Sequence, residues 1–262
     1  MLAYLRLFGV FLKVGVLNEL QYRVNFYVQV LQAGIGLVTG LAGLGIVFSH
    51  TDNLGGWRPA ELLALLGIFF LVNGAIQLVI QPSMQRFMED VRQGTLDFML
   101  TKPADSQVLV SIRQVEIWKL VNVFLGLIVL GIALVQLQVV VGAGQALAFG
   151  VTLLAGGAIV YSFYLFLATT SFWFVRVENV LVIFQSMYQA GRWPVGIYPW
   201  WLRSALTFIV PVAFATTVPA EAISGRLTWQ TLALALGLAV AMLVGTRWFW
   251  RVGVRRYSGA SA

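Results

Sequence analysis

Long apolar runs alternate with short polar segments along this chain. Five of these runs are long enough to be spanning helices, at residues 24–48, 61–80, 115–137, 145–175 and 228–249. A helix needs about 20 apolar residues to cross a ~30 Å hydrocarbon layer. The pattern therefore predicts an all-α membrane protein, with residues 1–262 forming one transmembrane domain.

Two segments compete for a further span between the fourth and the last run. Residues 180–198 are moderately apolar but contain Gln185 and Arg192, whereas residues 204–220 are more apolar but carry two prolines. Hydropathy alone favours the second segment. With either one, the chain has about six transmembrane helices and both of its ends lie on the same side of the membrane.

Polar and small residues recur at helical spacing within three of the apolar segments. On the first span they follow at steps of four, three, four and four, which places them on one helix face. Amides in hydrocarbon are costly unless they are paired, so these faces should turn inward or toward a partner chain. They either hold helices together or border a substrate path at the interface with another chain, and both interpretations stay open. The residues are Asn25, Gln29, Gln32, Gly36 and Gly40 on the first span, Asn73 and Gln77 on the second, and Gln185 and Gln189 on the segment 180–198.

Charge is scarce, and its placement excludes several functions. Only 10% of the residues are charged, whereas soluble domains carry about 25%. The net charge is +7, but the basic residues stand singly beside apolar runs, which is typical of membrane orientation and not of nucleic-acid binding. The chain has no cysteine and a single histidine, His50, in a predicted loop. Without a recognisable catalytic, metal or phosphate-binding motif, we expect neither an enzyme nor a metal site.

The distribution of basic residues predicts the orientation. The side of the membrane that carries the two termini and the loop at residues 81–113 receives 13 of the 17 lysines and arginines, Lys119 and Arg176 included, and the opposite side keeps Arg58, Arg192, Arg203 and Arg226. By the positive-inside rule, the termini and this loop are cytoplasmic.

The N-terminal segment, residues 1–23, has an amphipathic pattern. Leu5, Phe8 and Phe11 recur at helical spacing, while Arg6 and Lys13 lie elsewhere on the helix surface. This favours a helix lying in the membrane interface, and the cytosolic start of the first span is the alternative.

The charged loop contains another amphipathic segment, between Pro82 and Gly94. Pro82 and Ser83 are typical of a helix start, and Gly94 is typical of a helix end. A short cytoplasmic helix with a methionine-rich apolar face suits insertion into a groove on another protein. A helix lying flat on lipid is the alternative. The residues assigned to the contact are the apolar anchors Phe87, Met88 and Val91 together with Met84, Arg86, Glu89, Arg92 and Gly94.

Three short motifs, in order along the chain, resemble those of ABC type-2 transporter permeases. GTLDFMLTKP (94–103) resembles the G-T-L-E/D-x-L-L-x-T/R-P segment of that family. ELQYRVNF (19–26) and LGGWRPAELLALLGIFF (54–70) are similar to the E-x-x-Y-R-x-N-F and G-W-x-x-x-E motifs of a branch of bacterial permeases. The resemblance implies that Pro82–Gly94 is a coupling helix, which contacts an ATPase subunit, and that residues 95–103 support it.

The resemblance also concerns the fifth span. YPWWLRSALTFIVPVAFATTVPAEAI (198–223) is similar to the segment that forms an outer re-entrant helical hairpin in that family. The resemblance therefore implies a fifth span at residues 180–197, followed by the hairpin. Pro199, Pro211 and Pro219 suit breaks between short helices better than one continuous span.

The functional hypothesis is a permease subunit of an ATP-driven ABC exporter in the bacterial inner membrane. The resemblance implies cytosolic ABC ATPase subunits, which bind ATP and Mg²⁺, and a second permease, identical or related. No cofactor is expected on this chain itself. A stand-alone secondary carrier or channel is the alternative, but it needs ion ligands or broken helices around a central site.

Overall fold

The computed structural model describes residues 23–137, 142–174 and 178–257, together with Gly9 and Lys13. The predicted interface helix at residues 1–23 lies almost entirely outside the described residues. The described chain is a bundle of helices joined by turns. The α-helices are α1 (Arg23–Phe48), α2 (Pro59–Ala75), α3 (Gln81–Gln93), α4 (Asp97–Leu100), α5 (Ser106–Ser111), α6 (Leu120–Leu137), α7 (Ala143–Thr169), α8 (Glu178–Tyr188), α9 (Trp200–Ser204), α10 (Val212–Ala215), α11 (Thr217–Ile223) and α12 (Trp229–Arg256).

Five helical stretches of the described chain are long and apolar enough to cross a membrane. They are Val24–Phe48, Pro59–Gln93, Ile117–Leu137, Ala143–Phe172 and Trp229–Arg256, and they coincide with the five apolar runs of the sequence. A bent pair of shorter helices raises the number to six if the pair counts as one span. The prediction of an all-α membrane protein with about six transmembrane helices is confirmed.

The segment predicted as the fifth span, residues 180–197, does not form one continuous helix. α8 ends at Tyr188 after 11 residues, and 3₁₀ turns at Gln189–Arg192 and Val195–Ile197 follow. The predicted fifth span is therefore interrupted near its end, because the extended backbone of Trp193, followed by a proline, breaks the helix.

Residues 198–223 form two short helical arms. α9 continues through a π-helical turn at Ala205–Ile209, and the chain then bends by 70° before α10 and α11. Pro211 stands at this bend, where it cannot continue a helix. The second arm is buried against α7, where a Cβ on Gly156 would lie 3.0 Å from Ala215 Cα. Such a bent pair is either a broken span or a re-entrant loop, so the outer hairpin stays a prediction.

The first turn of α2 buries a carboxylate. Glu61 is only 2% exposed, and its Oε2 accepts the backbone N–H of Arg58 at 2.8 Å. Arg226, from the turn before α12, approaches the same oxygen at 3.5 Å and lies over the Trp57 ring at 5.1 Å. The two arginines offset the Glu61 charge, and Arg226 ties the start of α12 to the start of α2.

α2 and α6 approach each other so closely that their backbones touch. A Cβ on Gly67 would lie 2.7 Å from the backbone nitrogen of Leu130, and a Cβ on Gly126 would lie 2.8 Å from the carbonyl oxygen of Gly67. Any larger side chain at these positions would push the two helices apart. Glycine is therefore required on both sides of the contact.

Gly126→Ala should destabilise the protein by about 1–3 kcal/mol, because the added methyl group meets backbone atoms that cannot rotate away. Gly131→Ala is the matched control on the same helix, since no atom lies within 4 Å of a Cβ at that position. Thermal unfolding of both variants in detergent measures the difference. Equal midpoints for the two variants would contradict the close contact of α2 and α6.

Candidate coupling segment and polar cluster

α2 and α3 belong to one continuous helix, called here the α2–α3 rod (Pro59–Gln93). The rod has 35 residues and is about 52 Å long at 1.5 Å per residue. It therefore extends roughly 20 Å beyond a ~30 Å hydrocarbon layer. The prediction that a separate helix starts at Pro82 is wrong, because α3 is a direct extension of the second span.

A π-helical turn, Ile76–Ile80, allows the rod to continue through Pro82. Proline has no backbone N–H, so the carbonyl of Leu78, four residues earlier, lacks its usual helical donor. The backbone N–H of Glu116 donates to this carbonyl at 2.8 Å. The hydrogen bond that the proline removes is thus replaced from the loop before α6.

The serine after the proline strengthens the same attachment. Ser83 is fully buried, and its Oγ donates to the Gln114 carbonyl at 2.9 Å and accepts from the Gln114 N–H at 3.1 Å. The loop before α6 is therefore fastened to the rod at the junction of α2 and α3.

The apolar face of α3 packs inside the chain. Met84, Phe87 and Met88 are each at most 3% exposed. The Phe87 ring lies 5.4 Å from the ring of Phe172, which follows α7, and 5.1 Å from the ring of Trp250 in α12. The prediction that Phe87 and Met88 anchor the helix in a partner's groove is therefore wrong in this structure, since both side chains fill this chain's own core.

The polar face of α3 points outward and ends at Gly94. Arg86 and Arg92 keep 45% and 47% of their side chains exposed, and Arg92 pairs with Glu89 at 2.6 Å. Val91 is partly buried at the edge of this face. Gly94 adopts φ 70°, the left-handed conformation that ends many helices, which confirms the predicted helix end. Contact of this face with another protein stays a prediction.

A buried charge network fastens α3 to the loop behind it. Asp90 is 1% exposed. Arg86 approaches one of its carboxylate oxygens at 3.4 Å, and Arg113 pairs with the other. Thr95 Oγ1 donates to Asp90 Oδ1 at 3.1 Å. These partners allow the carboxylate to stay charged although it is removed from water.

Phe98 lies in the segment 95–103 predicted to support the coupling helix, but no sequence feature singles out its side chain. It is 75% exposed, whereas its neighbours Leu96 and Met99 are buried. Only the position of α4 shows which of these apolar side chains points outward. An exposed Phe beside the charged face of α3 suits a protein-binding surface, because a few large side chains dominate interface energies.

Three residues predicted to border the path meet inside the bundle. Gln185 Nε2 donates to Asn73 Oδ1 at 2.8 Å, and Gln77 Nε2 approaches the same oxygen at 3.4 Å. The Tyr164 hydroxyl donates to Gln185 Oε1 at 2.9 Å. This polar cluster joins the rod to α7 and α8, which favours a helix-pairing role for these amides.

The glycine pair of α1 faces α2. A Cβ on Gly36 would lie 3.8 Å from the Phe70 ring, and a Cβ on Gly40 would lie 3.1 Å from Leu66 Cδ1. Gly36 and Gly40 therefore allow close packing of α1 within this chain.

The amides of α1 lie on a helix that this chain covers little. Only 11% of the most apolar window of α1 is buried within the chain, against 67% for the rod. Asn25 and Gln32 are exposed, and Gln29 is partly buried. Gln189 is also partly buried, in the 3₁₀ turn after α8. The α1 amides are thus on a surface that another chain or lipid is free to cover.

The chain matches the family model described as ABC-2 family transporter protein over residues 35–261, a range that contains the polar cluster and the rod. No curated protein matches the chain. Among the described residues, no group of three or more His, Asp or Glu side chains is placed to hold a metal ion.

Arg113→Gln should destabilise the protein by about 3 kcal/mol, because the buried Asp90 carboxylate loses a cationic partner. Arg92→Gln breaks a more exposed ion pair on the same helix and should cost less than about 1 kcal/mol. Denaturant unfolding in detergent measures both changes. If both variants lowered the free energy of unfolding by the same amount, the buried Asp90 network would be no more stabilising than the exposed ion pair.

Asn73→Ala and Gln185→Ala should be coupled by about 0.6 kcal/mol or more, as expected for a hydrogen bond between membrane helices. Ser186→Ala is the control for Gln185→Ala, since the Ser186 hydroxyl donates to the Val182 carbonyl within α8. Its effect should add to that of Asn73→Ala. A double-mutant cycle of unfolding free energies tests this, and a coupling of zero for the first pair would refute the contact.

Proposed function

The chain belongs to the ABC-2 transporter family, so it is a membrane transport subunit of an ABC transporter, and we propose that it is the permease of an ATP-driven exporter. The observation that carries this proposal is the α2–α3 rod. Its 35 residues are more than a ~30 Å hydrocarbon layer requires, and one of its ends carries the charged face of α3. A push on its outer end therefore reaches the membrane interior without crossing a flexible joint.

The energy comes from separate cytosolic ATPase subunits, which hold ATP and Mg²⁺. Closure of the ATPase dimer moves α3, and the rod transmits this movement as a rigid-body displacement of the spans. The polar residues Arg86, Glu89 and Arg92 set the register of the contact, because rim charges steer and orient partners. Phe98 supplies the apolar anchor in place of the buried Phe87.

The path forms between this chain and a second permease, identical or related. Asn25, Gln29 and Gln32 support this assignment because they lie on α1, the span that the described residues cover least. Asn73, Gln77 and Gln185 act differently, since their mutual hydrogen bonds hold helices together. The protein lies in the bacterial inner membrane with both termini in the cytoplasm, as the basic residues of the 81–113 loop and the C-terminal end favour.

Phe98→Ala should weaken ATPase binding about 30-fold. Truncation of a well-seated aromatic anchor removes about 2 kcal/mol, and each 1.4 kcal/mol is a factor of ten. Phe124→Ala is the matched control, because Phe124 is 60% exposed on α6 within an apolar span. The measurements are co-purification of the ATPase with each variant and ATP-dependent transport in proteoliposomes.

Two results would contradict the proposal. If the Phe98→Ala protein bound the ATPase as tightly as the wild type does, Phe98 would not be an anchor of that interface. Transport by the permease alone, without any ATPase or ATP, would instead support a stand-alone carrier.

A further inference from the structure

A cavity of about 390 Å³ lies where the end of α12 meets the turn before α5. Basic, polar and aromatic side chains surround it, among them Asp105, Ser106, Arg247, Trp250, Arg251 and Arg255. Trp250 is buried and donates its Nε1–H to Ser106 Oγ at 3.4 Å. This arginine pocket is therefore built on the same surface as the coupling segment.

One of the three arginines is already neutralised within the pocket. Arg247 Nη1 donates to Asp105 Oδ1 at 2.9 Å and to Gln107 Oε1 at 2.8 Å, and Nη2 pairs with the second carboxylate oxygen. These contacts hold the pKa of Asp105 below its usual range, so the carboxylate stays ionised and balances Arg247. Asp105 thus contributes no unbalanced negative charge that would repel an anion.

The other two arginines leave the pocket positively charged. Arg251 and Arg255 are four residues apart and therefore lie on one face of α12, and both are exposed. Within the part of the chain that the structure describes, no ion pair involves either of them. Two neighbouring guanidinium groups with free donors are suited to the oxygens of a phosphate.

The position of the pocket favours a lipid headgroup as the source of a phosphate bound there. Trp248 follows the pocket residue Arg247 in α12 and is 67% exposed, and the ring of the next residue, Phe249, stacks on Trp173 at 5.1 Å. Exposed indoles at the end of an apolar span mark the level of lipid headgroups. Basic pockets between transmembrane helices at this level bind anionic headgroups. A free phosphate would need no such placement.

We propose that the arginine pocket binds the headgroup phosphate of an anionic phospholipid, with Arg251 and Arg255 as its ligands. The bound lipid lies between α12 and the turn that leads into α5. It therefore secures the end of the last span against the loop that carries Phe98. The occupant is a component of the membrane and does not depend on the transported substrate.

The test uses the full chain in detergent and measures binding of phosphatidylglycerol by native mass spectrometry. Phosphatidylcholine and inorganic phosphate are measured in parallel. The variant is Arg251→Gln/Arg255→Gln. The control is Lys102→Gln/Arg256→Gln, which removes two exposed positive charges near the same end of the bundle but outside the pocket.

We expect the wild type to prefer phosphatidylglycerol over phosphatidylcholine. The pocket variant should bind phosphatidylglycerol at least about tenfold more weakly, because it loses both guanidinium groups that hydrogen-bond the phosphate in the pocket. The control should keep wild-type affinity. Phosphatidylglycerol should also raise the unfolding temperature of the wild type and the control but not of the pocket variant.

Three outcomes would overturn the proposal. They are equal lipid affinity of all three proteins, an equal loss in the control, and displacement of the lipid by millimolar inorganic phosphate. If the double variant does not fold, Arg251→Gln alone is compared with Arg256→Gln under the same criteria. ATPase subunits are absent from this experiment, so its result is independent of the coupling mechanism.

Discussion

Two buried carboxylates on one helix impose the constraint on which the rest of the structure depends. Glu61 and Asp90 lie near opposite ends of the α2–α3 rod and are 2% and 1% exposed. Each is met by a nearby arginine and by one from a distant segment, which is Arg226 for Glu61 and Arg113 for Asp90. Because an unpaired buried charge is strongly unfavourable, neither distant segment is free to move away from the rod. The rod is thereby fixed at both ends.

Between these ends, the rod packs tightly against neighbouring helices. Its backbone touches α6 at Gly67 and Gly126, and the Phe87 ring lies against Phe172 and Trp250. Packed interiors have few voids and transmit displacement instead of absorbing it. A movement imposed on α3 is therefore shared with α6, the end of α7 and α12.

The sequence was informative where a single local cause determines the structure. The apolar runs correspond to the spans because length and hydropathy suffice to identify them. The end of α3 at Gly94 was predictable, since glycine adopts the left-handed conformation without strain. The apolar stripe of α3 was also visible, but periodicity does not say whether Phe87 packs on its own chain or on a partner.

Other features depended on groups that are distant in the sequence. Pro82 reads locally as a helix start, and the rod continues only because Glu116, 34 positions later, supplies the missing donor. The spacing of Asn73 and Gln185 indicates two polar faces, but their hydrogen bond joins residues 112 positions apart. Hydropathy ranked residues 180–198 below residues 204–220 as a span, but it did not locate the end of α8 at Tyr188. The exposure of Phe98 was not predictable, because the sequence around it does not show which side chains of α4 face outward.

The π-helical turn Ile76–Ile80 determines how α3 is rotated about the axis of the rod. A π-bulge adds one residue to the helical repeat, and one residue corresponds to about 100° of rotation around an α-helix. With a regular repeat, the face that carries Met84 and Phe87 would be turned by that angle, away from Phe172 and Trp250. A shift of the bulge along the rod has the same geometric effect on the residues that it passes. The bulge therefore fixes the rotational setting of α3 against Phe172 and Trp250, while the part of the rod before it keeps its own facing toward α6.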